Sequence, residues 1–118
     1  MVTKHTHTID ASGRTLGRVA SEAAKALMGK THADYTPHIR SDVKVQVTNA
    51  SKINMPERKR MAKEYRNYSG YPSGLKRERL AALAARKGMG EAVRRAVARM
   101  MPRNTMHTER LKNLTVTE

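Results

Sequence analysis

The sequence contains no cysteine, phenylalanine or tryptophan, and only 4 of its 118 residues are tyrosines. The absence of cysteine excludes disulfide bonds, thiol catalysis and every zinc or iron–sulfur site that needs a thiolate. Because aromatic side chains are so few, the core must be built from Val, Ile, Leu, Ala and Met. We therefore expect a thin core of modest stability. The length suits a single domain spanning residues 1–118.

Long apolar segments are also missing. The longest uninterrupted apolar run covers the six residues 80–85, whereas a membrane-spanning helix needs roughly 17–25. The first ten residues contain no apolar segment of the kind found in secretory signals. These absences predict a cytoplasmic protein without a membrane partner.

Negative charge is scarce as well. The 24 lysines and arginines outnumber the 10 acidic residues and give a formal net charge of +14 at pH 7, whereas a small soluble domain usually carries a net charge of about 2–8. The second half, residues 60–118, contributes +9 of this total. Self-repulsion of this size disfavours a compact chain unless a partner supplies negative charge, and nucleic-acid phosphates are the densest common source. The composition therefore predicts a polyanionic partner.

Apolar periodicity predicts alternating strands and helices. The period-2 pattern of Val43, Val45 and Val47 is typical of a half-buried strand. The order of elements favours an α/β fold with a small, at least partly parallel sheet. In chain order the predicted elements are a strand around Ile9, a helix over 16–28 ended by Gly29, a loop over 30–42, a strand over 43–48, an edge strand over 57–68, a loop over 69–74, a helix over 75–87, a helix over 91–101 ended by Pro102, and a short helix leading into a strand at Leu114 and Val116.

Signals for catalysis or metal binding are weak. The tripeptide at 29–31 has the GKT ending of a P-loop, but Ala24 stands where that motif needs its first glycine. His5 and His7 share one face of a strand, yet no further ligand completes a coordination sphere. Neither a nucleophile elbow nor a pair of carboxylates at a loop is present. We therefore expect no catalytic residue, no metal, no cofactor and no small-molecule substrate.

The strongest candidate site surrounds the glycine- and serine-rich segment 69–74. Three of the four tyrosines fall within seven residues there, and cations are interleaved with them. Aromatic rings stack on bases while arginine and lysine bind phosphates, so this mixture favours nucleic-acid contact over the alternative of core tyrosines beside solvated charges. The residues concerned are Arg66, Tyr68, Tyr71, Lys76, Arg77 and Arg79, with a second candidate at Arg103 and Asn104 beyond Pro102.

Six collinear segments resemble the ribosomal protein L13 family of the bacterial large subunit. They are IDASGRTLGRVASEAAKALMGK at 9–30, YTPH at 35–38, NASKI at 49–53, YSGYPSGLK at 68–76, AVARMMPRN at 96–104 and LKNLTV at 111–116. The resemblance implies a three-layer α/β/α fold with a small four-stranded parallel or mixed sheet. It also implies a non-enzymatic, structural role in the large ribosomal subunit, where the protein binds 23S-type rRNA early in assembly beside neighbouring ribosomal proteins and not as a homo-oligomer.

The resemblance extends the set of candidate RNA contacts to the first turn and the loop after the first helix. The full set is Arg14, Arg18, Lys30, His38, Arg66, Tyr68, Ser69, Gly70, Tyr71, Gly74, Lys76, Arg77, Arg95, Arg99, Arg103, Asn104, Arg110 and Lys112. A nonspecific DNA-compacting or mRNA-regulating protein is the alternative interpretation of the charge. A small hydrolase is a third, although the sequence offers no titratable cluster for it.

Overall fold

The computed structural model describes residues 5–31, 33 and 43–118, with the side chain of His5 excepted. The α-helices within these ranges are α1 (Leu16–Met28), α2 (Glu57–Ala62), α3 (Leu80–Lys87), α4 (Met89–Met100) and α5 (His107–Leu111). The strands are β1 (His5–Asp10), β2 (Val43–Thr48), β3 (Glu64–Tyr68), β4 (Leu75–Arg79) and β5 (Leu114–Val116). A 3₁₀ turn, Ala50–Lys52, follows β2. The mixed α/β class predicted from the sequence is therefore confirmed.

A three-stranded parallel sheet forms the centre of the fold, in the order β1-β2-β5. Parallel strands need a crossover connection, and α1 supplies it between β1 and β2. In β2 the side chains of Val43, Val45 and Val47 are buried while Lys44 and Gln46 are exposed, as the period-2 pattern predicts. One face of the central strand therefore contributes to the hydrophobic core.

Helix α1 packs on β2 and against α4, and α4 in turn contacts β5 and the 3₁₀ turn, so that both helices bury side chains in the same apolar cluster. Helix α1 has the predicted bounds and ends at Gly29, whose φ of 85° is the left-handed conformation that glycine adopts without strain. Helix α4 buries Val93 and Val97 and stops before Pro102. Its apolar stripe was clear in the sequence, and the predicted helix is confirmed with a start two residues earlier.

Two predicted elements are confirmed only in part, the edge strand in 64–68 and the helix in 80–87. Residues 57–68 were expected to form an edge strand, but they form α2 followed by β3. Residues 75–87 were expected to be one helix, but the chain forms β4 first and begins α3 only at Leu80. The cause is pairing across the loop, since β3 and β4 form an antiparallel hairpin in which Tyr68 lies opposite Leu75. Backbone pairing with a partner strand outweighs the helix propensity of the Lys, Arg and Glu residues in β4.

The hairpin is a second sheet and does not extend the first. Among the residues that the structure describes, the parallel sheet has three strands, so the expected four-stranded sheet is not present there. None of the helices in those ranges is long and apolar enough to cross a membrane. The buried apolar residues of these ranges include a cluster from the parallel sheet, α1, α4 and the start of α3, with Tyr65 of the hairpin packed against it. The hairpin is thereby attached to the domain at its base.

Candidate nucleic-acid interface

The inner face of the hairpin is anchored by Tyr65 in β3. Its ring is half-buried against the core, and the Arg95 guanidinium carbon lies 4.9 Å from the ring centroid. The Lys63 ammonium lies 5.8 Å from the same centroid. Burial raises the pKa of the Tyr65 phenol, so the ring stays neutral. Cation–π contacts and burial together hold the base of the hairpin on α4.

A second inner contact joins the hairpin to α3. The Glu78 carboxylate accepts hydrogen bonds from Arg86 Nη2 at 2.8 and 3.1 Å and from Arg86 Nε at 3.2 Å. The Arg86 guanidinium lowers the pKa of Glu78, which therefore remains ionised. Forked contacts of this kind fix orientation as well as charge. The Arg86 guanidinium is thus engaged in an ion pair within the protein.

The outer face of the hairpin has the opposite character, because successive strand residues point to opposite sides. Arg66 and Arg77 lie directly across from each other, and Tyr68 lies across from Leu75. These side chains are exposed, with 68% of Tyr68 and 48% of Leu75 accessible to solvent. Like charges opposite each other on two strands destabilise a sheet. An anion bound between the two arginines would remove that penalty.

The loop between β3 and β4 presents a third exposed ring. The Tyr71 backbone N–H donates to Ser69 Oγ at 3.4 Å, and the Gly74 N–H donates to the Tyr71 carbonyl at 3.0 Å. Gly70 has a φ of 86°, which permits the tight turn. Within this turn the Tyr71 side chain is 75% exposed. The hairpin therefore carries the candidates predicted from the sequence in three places. Arg66, Tyr68 and Arg77 lie on its outer face and Tyr71 in its loop, whereas Lys76 lies opposite Asn67 on the inner side.

The candidate cations before, within and after α1 differ in whether they are paired within the protein or exposed. Arg14 Nη1 donates to Glu22 Oε2 at 2.6 Å, and Glu22 Oε1 lies 3.3 Å from His7 Nε2. Hydrogen bonding to Arg14 lowers the pKa of Glu22. Arg14 is therefore paired within the protein, whereas Arg18 and Lys30 are exposed. The candidate His38 lies outside the described residues.

The C-terminal candidates also separate into two groups. Arg103, Asn104 and Lys112 are exposed, and Asn104 Oδ1 accepts the Met106 backbone N–H at 3.0 Å. Arg110 is only 3% exposed, contrary to the expectation that it reaches a ligand from the surface. It lies on the inward side of α5, where its guanidinium is 3.9 Å from Met106 Sδ and its Nε has no hydrogen-bond partner. Arg110 is therefore a buried residue in this conformation.

Helix α4 carries its two candidates toward a groove that sequence reasoning missed. Arg95 Nε donates to Glu91 Oε1 at 3.3 Å, and Arg99 is exposed one turn further on. Both line a groove of about 200 Å³ together with Lys59, Lys63, Tyr65, Leu16, Gly17, Ala96 and Met100. The lysines come from α2 and the residue after it, a segment predicted as a strand. No sequence pattern signals a groove whose walls come from four elements.

An exposed hairpin with cations and aromatic rings on a strongly basic α/β domain is typical of a nucleic-acid-binding protein. Among the described side chains, no group of three or more His, Cys, Asp or Glu residues could hold a metal ion. Comparison with known proteins identifies the family. The model of the family described as "Ribosomal protein L13" matches residues 4–118. The chain therefore belongs to the ribosomal protein L13 family, which is a family of structural ribosomal proteins and not of enzymes.

Individual relatives agree with this assignment. The chain is 43% identical over 110 residues to large ribosomal subunit protein uL13 of Rubrobacter xylanophilus, in a match that covers 93% of this chain and 76% of the relative. It is 40% identical over 114 residues to uL13 of Chlamydia pneumoniae, with 97% and 76% covered. It is 41% identical over 114 residues to uL13 of Thermotoga petrophila, with 93% and 73% covered. The resemblance noted in the sequence is confirmed.

Proposed function

We propose that the chain is a structural component of the large ribosomal subunit that binds 23S-type rRNA and joins the particle early in assembly. Its partners are then rRNA and neighbouring ribosomal proteins, it acts as a single copy and not as a homo-oligomer, and it resides on ribosomes in the cytoplasm. Family membership and relatives named as large-subunit proteins support this proposal. The charge of +14 supports a polyanionic partner.

The outer face of the hairpin is the observation that carries the proposal. It places two opposed arginines, Arg66 and Arg77, beside the exposed pair Tyr68 and Leu75. Arginines neutralise and position phosphates, while an exposed ring stacks on an unpaired base. Arg66 has one carboxylate neighbour on this face, Glu64 at 3.8 Å. A bound phosphate backbone would offset the remaining repulsion between the two opposed arginines. RNA presents both phosphates and unstacked bases, whereas duplex DNA hides its bases.

The remaining contacts proposed from the sequence follow from exposure. The exposed cations Arg18, Lys30, Arg99, Arg103 and Lys112 are available to RNA in the described structure. Arg14 can contribute charge, although its guanidinium also holds Glu22. Arg110 leaves the proposed set because it is buried.

A competition experiment tests this function against nonspecific DNA compaction. The protein is bound to fluorescently labelled large-subunit rRNA at 150 mM salt and is then challenged with unlabelled rRNA or with duplex DNA of equal nucleotide content. We expect rRNA to displace the label at a far lower concentration than DNA. Equal displacement by the two competitors would show a nonspecific polyanion binder and would overturn the proposal.

A further inference from the structure

The groove beside the hairpin is distinct from the outer face. Its apolar lining residues are Leu16, Ala96 and Met100, and the half-buried ring of Tyr65 also lines it. Its volume is about 200 Å³, which is below the ~300–1,000 Å³ of pockets that hold drug-sized ligands. A groove of this size accommodates one planar ring system or one long side chain.

The charge around the groove restricts its occupant. Four cations line it, namely Lys59, Lys63, Arg95 and Arg99, and the described lining residues include no carboxylate. The cations come from two separate parts of the fold, α2 with the residue that follows it and α4. Arg95 is paired with Glu91 at 3.3 Å. An apolar side chain from a protein partner would match the apolar lining but would leave the charge of Lys59, Lys63 and Arg99 uncompensated. A nucleotide matches both features, because a planar base is joined to phosphates on either side.

The groove also contains stacking surfaces. The guanidinium of Arg95 lies over the Tyr65 ring at 4.9 Å, and Lys63 lies 5.8 Å from the same centroid. Guanidinium planes and aromatic rings both stack on unpaired bases. A base entering the groove would therefore find both a guanidinium and an aromatic ring among the lining residues.

We propose that this groove binds a single unpaired nucleobase of an RNA strand, with the flanking phosphates neutralised by Lys59, Lys63 and Arg99. This inference rests on the proposed function, since it identifies how the same chain engages one nucleotide of its RNA. It adds a site that lies beside the hairpin and includes residues of α1 and α2.

Gly17 provides a substitution that fills the groove without harming the fold. It lies in the first turn of α1 and lines the groove, and a Cβ added there would meet no atom within 4 Å. Leucine is a better helix former than glycine, so the Gly17→Leu protein should be at least as stable as its parent. The matched control is Ala82→Leu, which adds the same side chain at an exposed position of α3 that does not line the groove.

The experiment compares an oligoadenylate of eight nucleotides with an abasic ribose-phosphate strand of the same charge, by fluorescence anisotropy. All proteins carry Tyr68→Ala and Tyr71→Ala, because those exposed rings would otherwise also stack on bases. The parent should bind oligoadenylate roughly 5- to 150-fold more tightly than the abasic strand, the range expected for stacking of one base. Gly17→Leu should remove this preference and leave affinity for the abasic strand unchanged, whereas Ala82→Leu should retain the preference.

Two results would overturn the inference. One is a parent protein that binds both strands equally, and the other is a Gly17→Leu protein that keeps the full preference while thermal unfolding shows that it is folded. In either case, salt-dependent binding of the abasic strand can persist, and the proposed RNA-binding function then stands. If the protein with Tyr68 and Tyr71 intact also binds neither strand at low salt, the proposed function itself fails.

Discussion

Replacing both opposed arginines of the hairpin, Arg66→Gln with Arg77→Gln, should weaken RNA binding without weakening the fold. The two side chains are register partners on an exposed face, and 64% of Arg66 is accessible. Arg66 has a carboxylate neighbour, Glu64, at 3.8 Å, and an exposed pair of that kind contributes only about 0–1 kcal/mol. Relief of the like-charge pair offsets this loss, because cross-strand pairs contribute roughly 0.2–1 kcal/mol. The free energy of unfolding should therefore change by less than about 1 kcal/mol.

The effect on RNA binding follows from counterion release. Each phosphate contact contributes about 0.7–0.9 to the slope of log affinity against log salt concentration. Loss of two contacts should lower the magnitude of that slope by roughly 1.4–1.8. The parent protein, if it engages ~6–10 phosphates, should lose ~10³–10⁵ in affinity between 50 and 200 mM salt.

The assay is a salt titration of binding to labelled large-subunit rRNA, with urea unfolding monitored in parallel. The matched control is Lys44→Gln with Lys52→Gln, which removes the same charge from exposed positions in and after β2. We expect the control to retain nearly the full slope. If the control and the hairpin variant lose equal slope, the binding is diffuse and the assignment of the outer face is refuted.

Two further predictions concern stability. Leu80→Ala, at a fully buried position, should lower the free energy of unfolding by about 2–5 kcal/mol in urea denaturation. The control Leu75→Ala, on the exposed outer face of the hairpin, should lower it by less than about 1 kcal/mol. Equal losses in the two variants would contradict the placement of Leu80 in the core. Glu22→Gln should remove a pH-dependent stabilisation: because Arg14 lowers the folded-state pKa of Glu22, the contribution is present above the ordinary glutamate value of about 4.3 and is lost as the pH falls through the folded value. The side chains of Arg14 and Glu22 are 38% and 39% exposed, so the stabilisation should stay below about 1 kcal/mol. A difference in the free energy of unfolding between parent and variant that does not shrink between pH 6 and pH 3 would contradict the pairing of Arg14 with Glu22.

The central elements could be predicted from the sequence because burial leaves a periodic trace. The alternation of Val43, Val45 and Val47 and the stripe in α4 containing Val93 and Val97 record which faces are buried. The hairpin leaves no such trace, since nearly all of its strand residues are exposed. Its existence depends on pairing between residues that are separated in the chain, and local propensity therefore favoured helix for β4.

Candidate residues that are close together in the sequence could be predicted, whereas those whose exposure or neighbours depend on tertiary packing could not. The cations and tyrosines around the loop at 69–74 are close in sequence, and the structure collects them on one projection. Arg110 is an example of the second kind, because its charge predicts an exposed side chain while the packing of α5 buries it. The groove could not be predicted either, since Gly17 and Lys59 line it together only when α1, α2 and α4 are packed.

Cosedimentation of the protein with large ribosomal subunits shows directly whether the chain is a component of that particle. Purified protein is mixed with subunits stripped of this component and centrifuged through a gradient at high salt. We expect the protein to migrate with the subunit in a ratio near one copy per particle, and the protein with Arg66→Gln and Arg77→Gln to be depleted from that fraction. Protein that remains at the top of the gradient while other ribosomal proteins stay bound would contradict the account.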